Sequence, residues 1–211
     1  MEVLDKMSDA VIRGKAPDVK TLMVEALGAG LEPGKILNEG LVKGMGIIGE
    51  RFKKNEVYVP EVLIAARAMK AGMELLRPRL IDSGVKPRGV AVIGTVKGDL
   101  HDIGKNLVGM MLEGAGFTVV DAGVDVSPER FIELAQTHNA DLIGVSALLT
   151  TTMTNMKLVV DTVKSSVLGG KVKVIIGGAP VTQSFCDEIK ADGYSADAAS
   201  AADLAKQLVA A

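Results

Sequence analysis

The stretch Thr95–Asn106, TVKGDLHDIGKN, gathers the residues of this chain best suited to chemistry: Asp99, His101 and Asp102, with Gly98 and Gly104 around them and Lys105 close behind. An imidazole with a carboxylate two positions away suits metal ligation. The carboxylate can hold one ring nitrogen as a donor, which sets the tautomer and makes the other a stronger ligand. A phosphate-binding role does not fit, because Gly94, Gly98 and Gly104 match neither Gly-x-Gly-x-x-Gly nor the longer gap that ends in Gly-Lys-Ser/Thr.

A protein zinc site takes three or four His, Cys or carboxylate ligands. The nitrogen and sulfur donors here are His101, His138 and Cys186, far apart in sequence. If His101 binds a metal, most of the ligands must come from elsewhere. A macrocycle provides them, filling four equatorial positions and leaving an axial site for one neutral imidazole. Without its flanking residues His101 would read as an ordinary loop histidine. His138 reads as a solvated residue at the end of a helix, and Cys186 as a buried or semi-buried helical residue without chemistry.

The elements that position this loop follow from the apolar pattern. GVAVIGTV, FTVV, DLIGVSALL and KVKVIIGG are short and aliphatic, and segments of helical spacing such as Ile103, Leu107 and Met111 separate them. Alternating strand and helix predicts a parallel sheet covered on both faces. A weak fifth strand near Tyr194 completes a doubly wound, five-stranded flavodoxin/Rossmann-like domain. In such a sheet ligands bind at the carboxyl ends of the strands, where the loop after the first strand lies. Ser127-Pro128 reads as a helix start, and Ser200 with Asp203 as a capping box for the last helix. Asp102 and Lys105 read as helix-start and surface residues.

The N-terminal part predicts four helices in a small bundle, giving an α/β protein with an N-terminal helical bundle. Their stripes are Val3, Leu4, Met7 and Val11; Val19, Leu22, Met23 and Ala26; Leu37, Leu41, Met45, Ile48 and Phe52; and Val62, Ala65, Met69, Met73 and Leu76. Pro60 marks the start of the fourth helix and Arg77-Pro78 its stop. Gly40, Gly44, Gly46 and Gly49 lower helix propensity in the third, which predicts close packing against a neighbour. The sequence IDSGVKPR breaks the pattern and places the domain boundary between residues 84 and 85.

Composition excludes several functions. The chain has 211 residues, with 24 Lys and Arg against 26 Asp and Glu, so no basic excess is available to neutralise a nucleic-acid backbone. Four Phe, two Tyr and no Trp leave little for stacking on single strands. The longest apolar runs fall short of the roughly 20 residues needed to span a bilayer, so no membrane association is expected. The single cysteine, with no leader-like start, fits a reducing, cytoplasmic setting.

Asp99-Leu100-His101-Asp102-Ile103-Gly104 resembles the Asp-x-His-x-x-Gly signature of corrinoid-binding domains. Ser146-Ala147-Leu148 after the third strand and Gly177-Gly178 after the fourth repeat that family's later elements in order and spacing. GMGIIGERFKKNEVYVPEVLIAARAM, from Gly44 to Met69, is similar to the family's helical cap. The two-domain unit looks like the cobalamin-binding part of methionine synthase, at the length of the corrinoid proteins of methylamine, methanol and methoxyaromatic methyltransferase systems. The resemblance implies a helical cap over residues 1–84 and a corrinoid-binding domain over 85–211.

The match implies cobalamin or a related corrinoid bound base-off/His-on, with His101 as lower axial metal ligand. Asp99 is then its hydrogen-bond partner, and Thr152 a hydroxyl extending the relay where methionine synthase carries Ser. Gly98, Asp99, Leu100, His101, Asp102, Ile103 and Gly104 form the cofactor loop. Ser146, Leu148 and Thr150 match positions around the buried nucleotide tail, with Gly177, Gly178 and Ala198 as its channel walls. Phe52 and Val59 match the cap residues that shield the upper cobalt face. Read without the resemblance, Thr150 to Thr152 simply cap a helix and Phe52 completes a helix stripe.

The implied function is that of a methyl carrier. Co(I) takes a methyl group from a substrate-specific methyltransferase, and methyl-Co(III) passes it to a second methyltransferase acting on tetrahydrofolate or a thiol such as coenzyme M. A reductive-activation protein is the third implied partner. The alternatives are a cobalamin-dependent sensor and the corrinoid subunit of a mutase.

Overall fold

Four amphipathic stretches build the first unit, because each carries aliphatic or Met side chains three and four residues apart and has no competing alternation. The computed structural model describes residues 2–209. Two compact units divide them: residues 2–87, and residues 88–209 apart from the Gly114–Gly116 turn.

In the first unit α1 spans Glu2–Ile12 and α2 spans Ala16–Gly28. A longer helical stretch follows without a break as α3 (Pro33–Lys35), a π-helix over Ile36–Val42, and α4 (Lys43–Lys53). α5 spans Val59–Asp82, with Pro in its first turn as expected. Leu4, Met7 and Val11 are buried together with Val19, Met23, Leu41, Met45, Ile48, Val62, Ala65, Met69 and Leu76, so all four stripes face the core. Gly40 and Gly44 account for part of the glycine enrichment. A Cβ on the first would lie 2.7 Å from the Met7 sulfur, and one on the second 2.7 Å from the Ser8 carbonyl. Gly46 faces open space and has no such role. The π-helical turns are invisible to a 3.6-residue reading, which sees one uniform helix.

α5 runs through Pro78 instead of stopping there. Leu76 and Leu80, four apart, are both buried, and their packing offsets the backbone hydrogen bond that proline cannot make. The helix ends at Asp82, capped by Ser83, and Gly84 follows with a φ of +70°, which suits a residue without Cβ. The Gly84 and Val85 amides then close the last turn on Ile81 and Leu80.

The second unit contains β1 (Val90–Thr95), β2 (Thr118–Asp121), β3 (Leu142–Ser146), β4 (Lys173–Gly177) and β5 (Gly193–Tyr194). Between and after them lie α6 (Ile103–Gly114), α7 (Pro128–Thr137), α8 (Thr150–Ser165), α9 (Gln183–Ile189) and α10 (Ala198–Val209). All strand pairs are parallel, in the order β2-β1-β3-β4-β5. The α/β expectation with a five-stranded doubly wound sheet is therefore met. Registers such as Ala91 opposite Leu142 and Ile143 opposite Val174 place aliphatic side chains beside one another, and one face packs Val92, Ile143, Val145 and Val174 with Phe131 and Val160.

Two local expectations fare differently. Ser127 caps α7 through its side chain, as its sequence suggests, with His138 exposed at the far end. For α10 the cap is Asp197 and not Ser200: the Asp197 carboxylate accepts from the Ser200 amide at 2.9 Å and from its hydroxyl at 2.7 Å. The helix starts a turn earlier than the Ser200–Asp203 spacing suggests. Among the described residues no helix is long and apolar enough to cross a membrane.

Candidate functional site

β1 and β3 are neighbours, yet the chain leaves them toward opposite sides of the strand order, so their loops part at the topological switch point of the sheet. The β1 loop delivers Asp99 there. Gly98 turns the chain with φ +83°, and the Asp99 amide closes that turn on the Val96 carbonyl at 3.1 Å. Asp99 is fully buried, with 0% exposure.

Five donors, from the β1 loop, the β3 loop and the first turn of α8, converge on its carboxylate. Oδ1 accepts from the His101 amide at 3.1 Å and from His101 Nδ1–H at 2.7 Å. Oδ2 accepts from the Leu148 amide at 2.9 Å, the Leu149 amide at 3.4 Å and the Thr152 hydroxyl at 2.6 Å. Thr152 Oγ1 also lies 3.0 Å from the Leu149 carbonyl. It has one proton, and the closer, ionised acceptor takes it. Burial by itself would push the Asp99 carboxyl up. The hydrogen bonds from Thr152, Leu148 and His101 outweigh it and hold the group well below the usual carboxylate range.

An ionised carboxylate only accepts, so the network assigns the proton to Nδ1 and leaves a lone pair on Nε2. The His101 side chain is 51% exposed, and among the described residues no hydrogen bond occupies Nε2. The buried Thr95 hydroxyl donates to the His101 carbonyl at 2.9 Å and fixes the backbone behind the ring. Leu100 and Ile103, beside His101 in sequence, and Leu148 and Leu149, whose amides reach Asp99, are exposed aliphatics.

The donor set fits a macrocyclic metal complex. Among the described residues no group of three or more His, Cys, Asp or Glu side chains is placed to hold a metal ion. A metal at Nε2 must therefore bring its other ligands with it, and the exposed aliphatic residues Leu100, Ile103, Leu148 and Leu149 suit the apolar part of a macrocycle.

The other sequence-selected residues divide between the units. Asp102 and Gly104 are exposed at the start of α6. Ser146, half-buried, closes β3, and Thr150 is exposed in the first turn of α8. Gly177 closes β4, and Gly178 follows with φ +138°; a Cβ there would sit 1.8 Å from the Ala147 carbonyl oxygen. Ala198 is buried at the start of α10. Phe52 and Val59 are half-buried in α4 and α5 of the first unit. Leu148 engages Asp99 through its backbone amide, which its side-chain type does not announce.

Lys105 is not the surface residue its charge suggests. Its Nζ is buried, 2.6 Å from both Asp121 oxygens and from Asn106 Oδ1. Thr95, Asn155 and Asp125 also support the site, although their residue types and spacing do not single them out. Asn155 Nδ2 donates to the Lys97 carbonyl at 2.7 Å, and Asp125 Oδ1 accepts from the Gly98 amide at 2.7 Å. Thr95 carries a faint signal as a polar residue ending an apolar strand.

Comparison with known proteins gives the same picture. Residues 3–77 and 89–203 each match a model described as a B12 binding domain. The dimethylamine corrinoid protein of Methanosarcina barkeri is 46% identical over 211 residues, covering 99% of this chain and 98% of that one. Among solved structures, the methanol:cobalamin methyltransferase complex MtaBC from Methanosarcina barkeri matches with TM-score 0.86 and 32% identity, over 99% of this chain and 80% of that one. A cobalamin-binding protein from Desulfitobacterium hafniense DCB-2 matches with TM-score 0.81 and 29% identity, over 97% and 98%. The chain belongs to the B12-binding family of corrinoid proteins. Its cofactor is accordingly cobalamin or a related corrinoid.

Proposed function

We propose that this protein is the methyl carrier of a methyltransferase system, with His101 as the lower axial ligand of a corrinoid bound base-off/His-on. When bound, the corrinoid supplies a cobalt nucleophile that takes a methyl group from a donor and yields it to an acceptor. One observation carries this reading. His101 is held through Nδ1 by a buried, ionised Asp99 at 2.7 Å, on a half-exposed ring whose Nε2 no hydrogen bond occupies among the described residues.

The chain's own residues hold and tune. Asp99 fixes the tautomer of His101 and strengthens Nε2 as a donor. Thr152, Leu148 and Leu149 keep Asp99 ionised, so a proton taken up at Nε2 is balanced by a charge already in place. Leu100, Ile103 and Gly104 support the ligand face, with Gly98 and Asp102 bracketing the loop. Ser146, Thr150, Gly177, Gly178 and Ala198, at the carboxyl ends of β3 and β4 and the start of α10, hold the nucleotide tail. In this reading residues 1–84 act as a cap, Phe52 and Val59 exclude water from the reacting face, and residues 85–211 hold the corrinoid.

The 46% identity to a dimethylamine corrinoid protein favours a methylamine-type donor. A substrate-specific methyltransferase then loads the carrier. A second enzyme serving a folate or a thiol unloads it, and a reductive-activation protein restores it.

The test is the absorption spectrum after anaerobic incubation with hydroxocobalamin or methylcobalamin and removal of free cofactor. A retained base-off, His-on spectrum that His101→Ala loses is the expected result. Retention of adenosylcobalamin in preference to methylcobalamin would point to mutase chemistry instead.

A further inference from the structure

We propose that Asp125 is a positioning residue for the Asp99–His101 pair, acting through the backbone of Gly98 and Asp99; this rests on the reading of His101 as the corrinoid ligand. Asp125 lies on the loop after β2, and two hydrogen bonds join it to the turn that carries Asp99. Its carboxylate accepts from the Gly98 amide at 2.7 Å, and its own amide donates to the Asp99 carbonyl at 3.0 Å. The two bonds straddle Gly98 and Asp99, so together they fix how that segment is rotated.

The rotation matters because Gly98, at φ +83°, has no side chain to restrain it. The Cα–Cβ direction of the next residue decides whether the Asp99 carboxylate reaches Nδ1 of His101 on one side and Thr152 on the other. Asp125 is itself firmly placed. Its φ of +54° lies in the left-handed region, which Asp and Asn tolerate better than most residues. Val126 pairs with Val96 in an isolated parallel bridge, its amide donating to Thr95 at 2.9 Å, while the Thr95 amide donates to Gly123 at 3.0 Å. The strained residue is thus pinned on the sheet side and extends its carboxylate to the loop. A non-glycine residue kept at positive φ by surrounding bonds is where a fold stores positioning information.

Three variants separate the side-chain bond from the backbone conformation. Asp125→Asn keeps an acceptor oxygen and tolerates the left-handed conformation. Asp125→Gly keeps the conformation and removes the acceptor, and Asp125→Ala loses both. The first readout is nitrogen NMR of the His101 ring in the cofactor-free protein, at a fixed pH where the imidazole is neutral. Wild type and Asp125→Asn should show one tautomer, protonated at Nδ1. Asp125→Gly should show a mixture, the preference falling about fivefold for loss of one hydrogen bond. The second readout is the His-on fraction with methylcobalamin at the same pH, which should fall in Asp125→Gly and recover in Asp125→Asn.

An unchanged His101 tautomer in a folded Asp125→Gly protein overturns the proposal, even if corrinoid affinity drops, because Asp125 would then touch the ligand directly. Failure of the wild type to give a His-on spectrum would sink the ligand role of His101 instead. The cofactor-free measurement keeps the two failures apart, and the unfolding temperature of each variant shows whether a folded protein is being compared.

Discussion

Thr152 Oγ1 lies 2.6 Å from Asp99 Oδ2 although 53 residues separate them, and this bond ties the first turn of α8 to the loop leaving β1. A buried hydroxyl donating to an ionised carboxylate is among the stronger hydrogen bonds a protein makes. Thr152→Val keeps the shape and deletes the donor, and should cost the cofactor-free protein about 2 kcal/mol in urea unfolding. Thr152→Ser should restore most of it. Equal stability of the Val and Ser variants would show that Asp99 does not depend on this donor.

The depressed Asp99 carboxyl makes a signed statement about acid stability. Its value is lowered on folding, so the stabilisation is complete above the unfolded-state value of about 3.9 and is lost as pH falls from there toward the folded-state value. Asp99→Asn, which sets an amide donor among donors, should be about 2 kcal/mol less stable than wild type at pH 7. The gap should narrow as the pH drops below about 4. Thermal unfolding of both proteins across that range checks it, and a gap independent of pH would contradict an ionised Asp99.

The strand and helix order, the helical bundle and the Asp99–His101 loop were legible because each rests on local signals: apolar period, turn residues and a short motif. What stayed hidden depends on contacts across sequence. The Leu148 and Leu149 amides hold Asp99 by backbone, so no residue type betrays them. Pro78 reads as a stop because its effect is local, whereas the burial of Leu80 that carries α5 onward is tertiary. Lys105 reads as solvated until Asp121, 16 residues on, is seen at its ammonium.

That Lys105–Asp121 pair is unequal, the lysine side chain being 3% exposed and the aspartate 50%. Removing either partner should therefore have unequal effects. Lys105→Met leaves a carboxylate that water can solvate, and should cost under about 1 kcal/mol. Asp121→Ala strands a buried ammonium beside Asn106 and frees the Gly123 amide, and should cost about 2 kcal/mol, after allowing for the exposed side of the pair. Chemical denaturation of the two variants decides it, and a larger loss for Lys105→Met would reverse the assignment of the buried partner.

Two glycines of the candidate site should respond oppositely to alanine. At Gly178 the fold itself demands glycine: φ is +138° and a Cβ would meet the Ala147 carbonyl at 1.8 Å, so Gly178→Ala should cost at least about 3 kcal/mol. At Gly104 the fold demands nothing of the kind, because the residue lies in the first turn of α6 and an added Cβ meets no atom within 4 Å. Alanine is the better helix former, and Gly104→Ala should leave the cofactor-free protein unchanged or more stable by up to about 1 kcal/mol. If the space beside Gly104 is where the corrinoid lies against α6, the same variant should retain less hydroxocobalamin after gel filtration than wild type. A Gly104→Ala protein that gains stability and still retains the corrinoid in full would show that the ligand does not approach the helix at this turn.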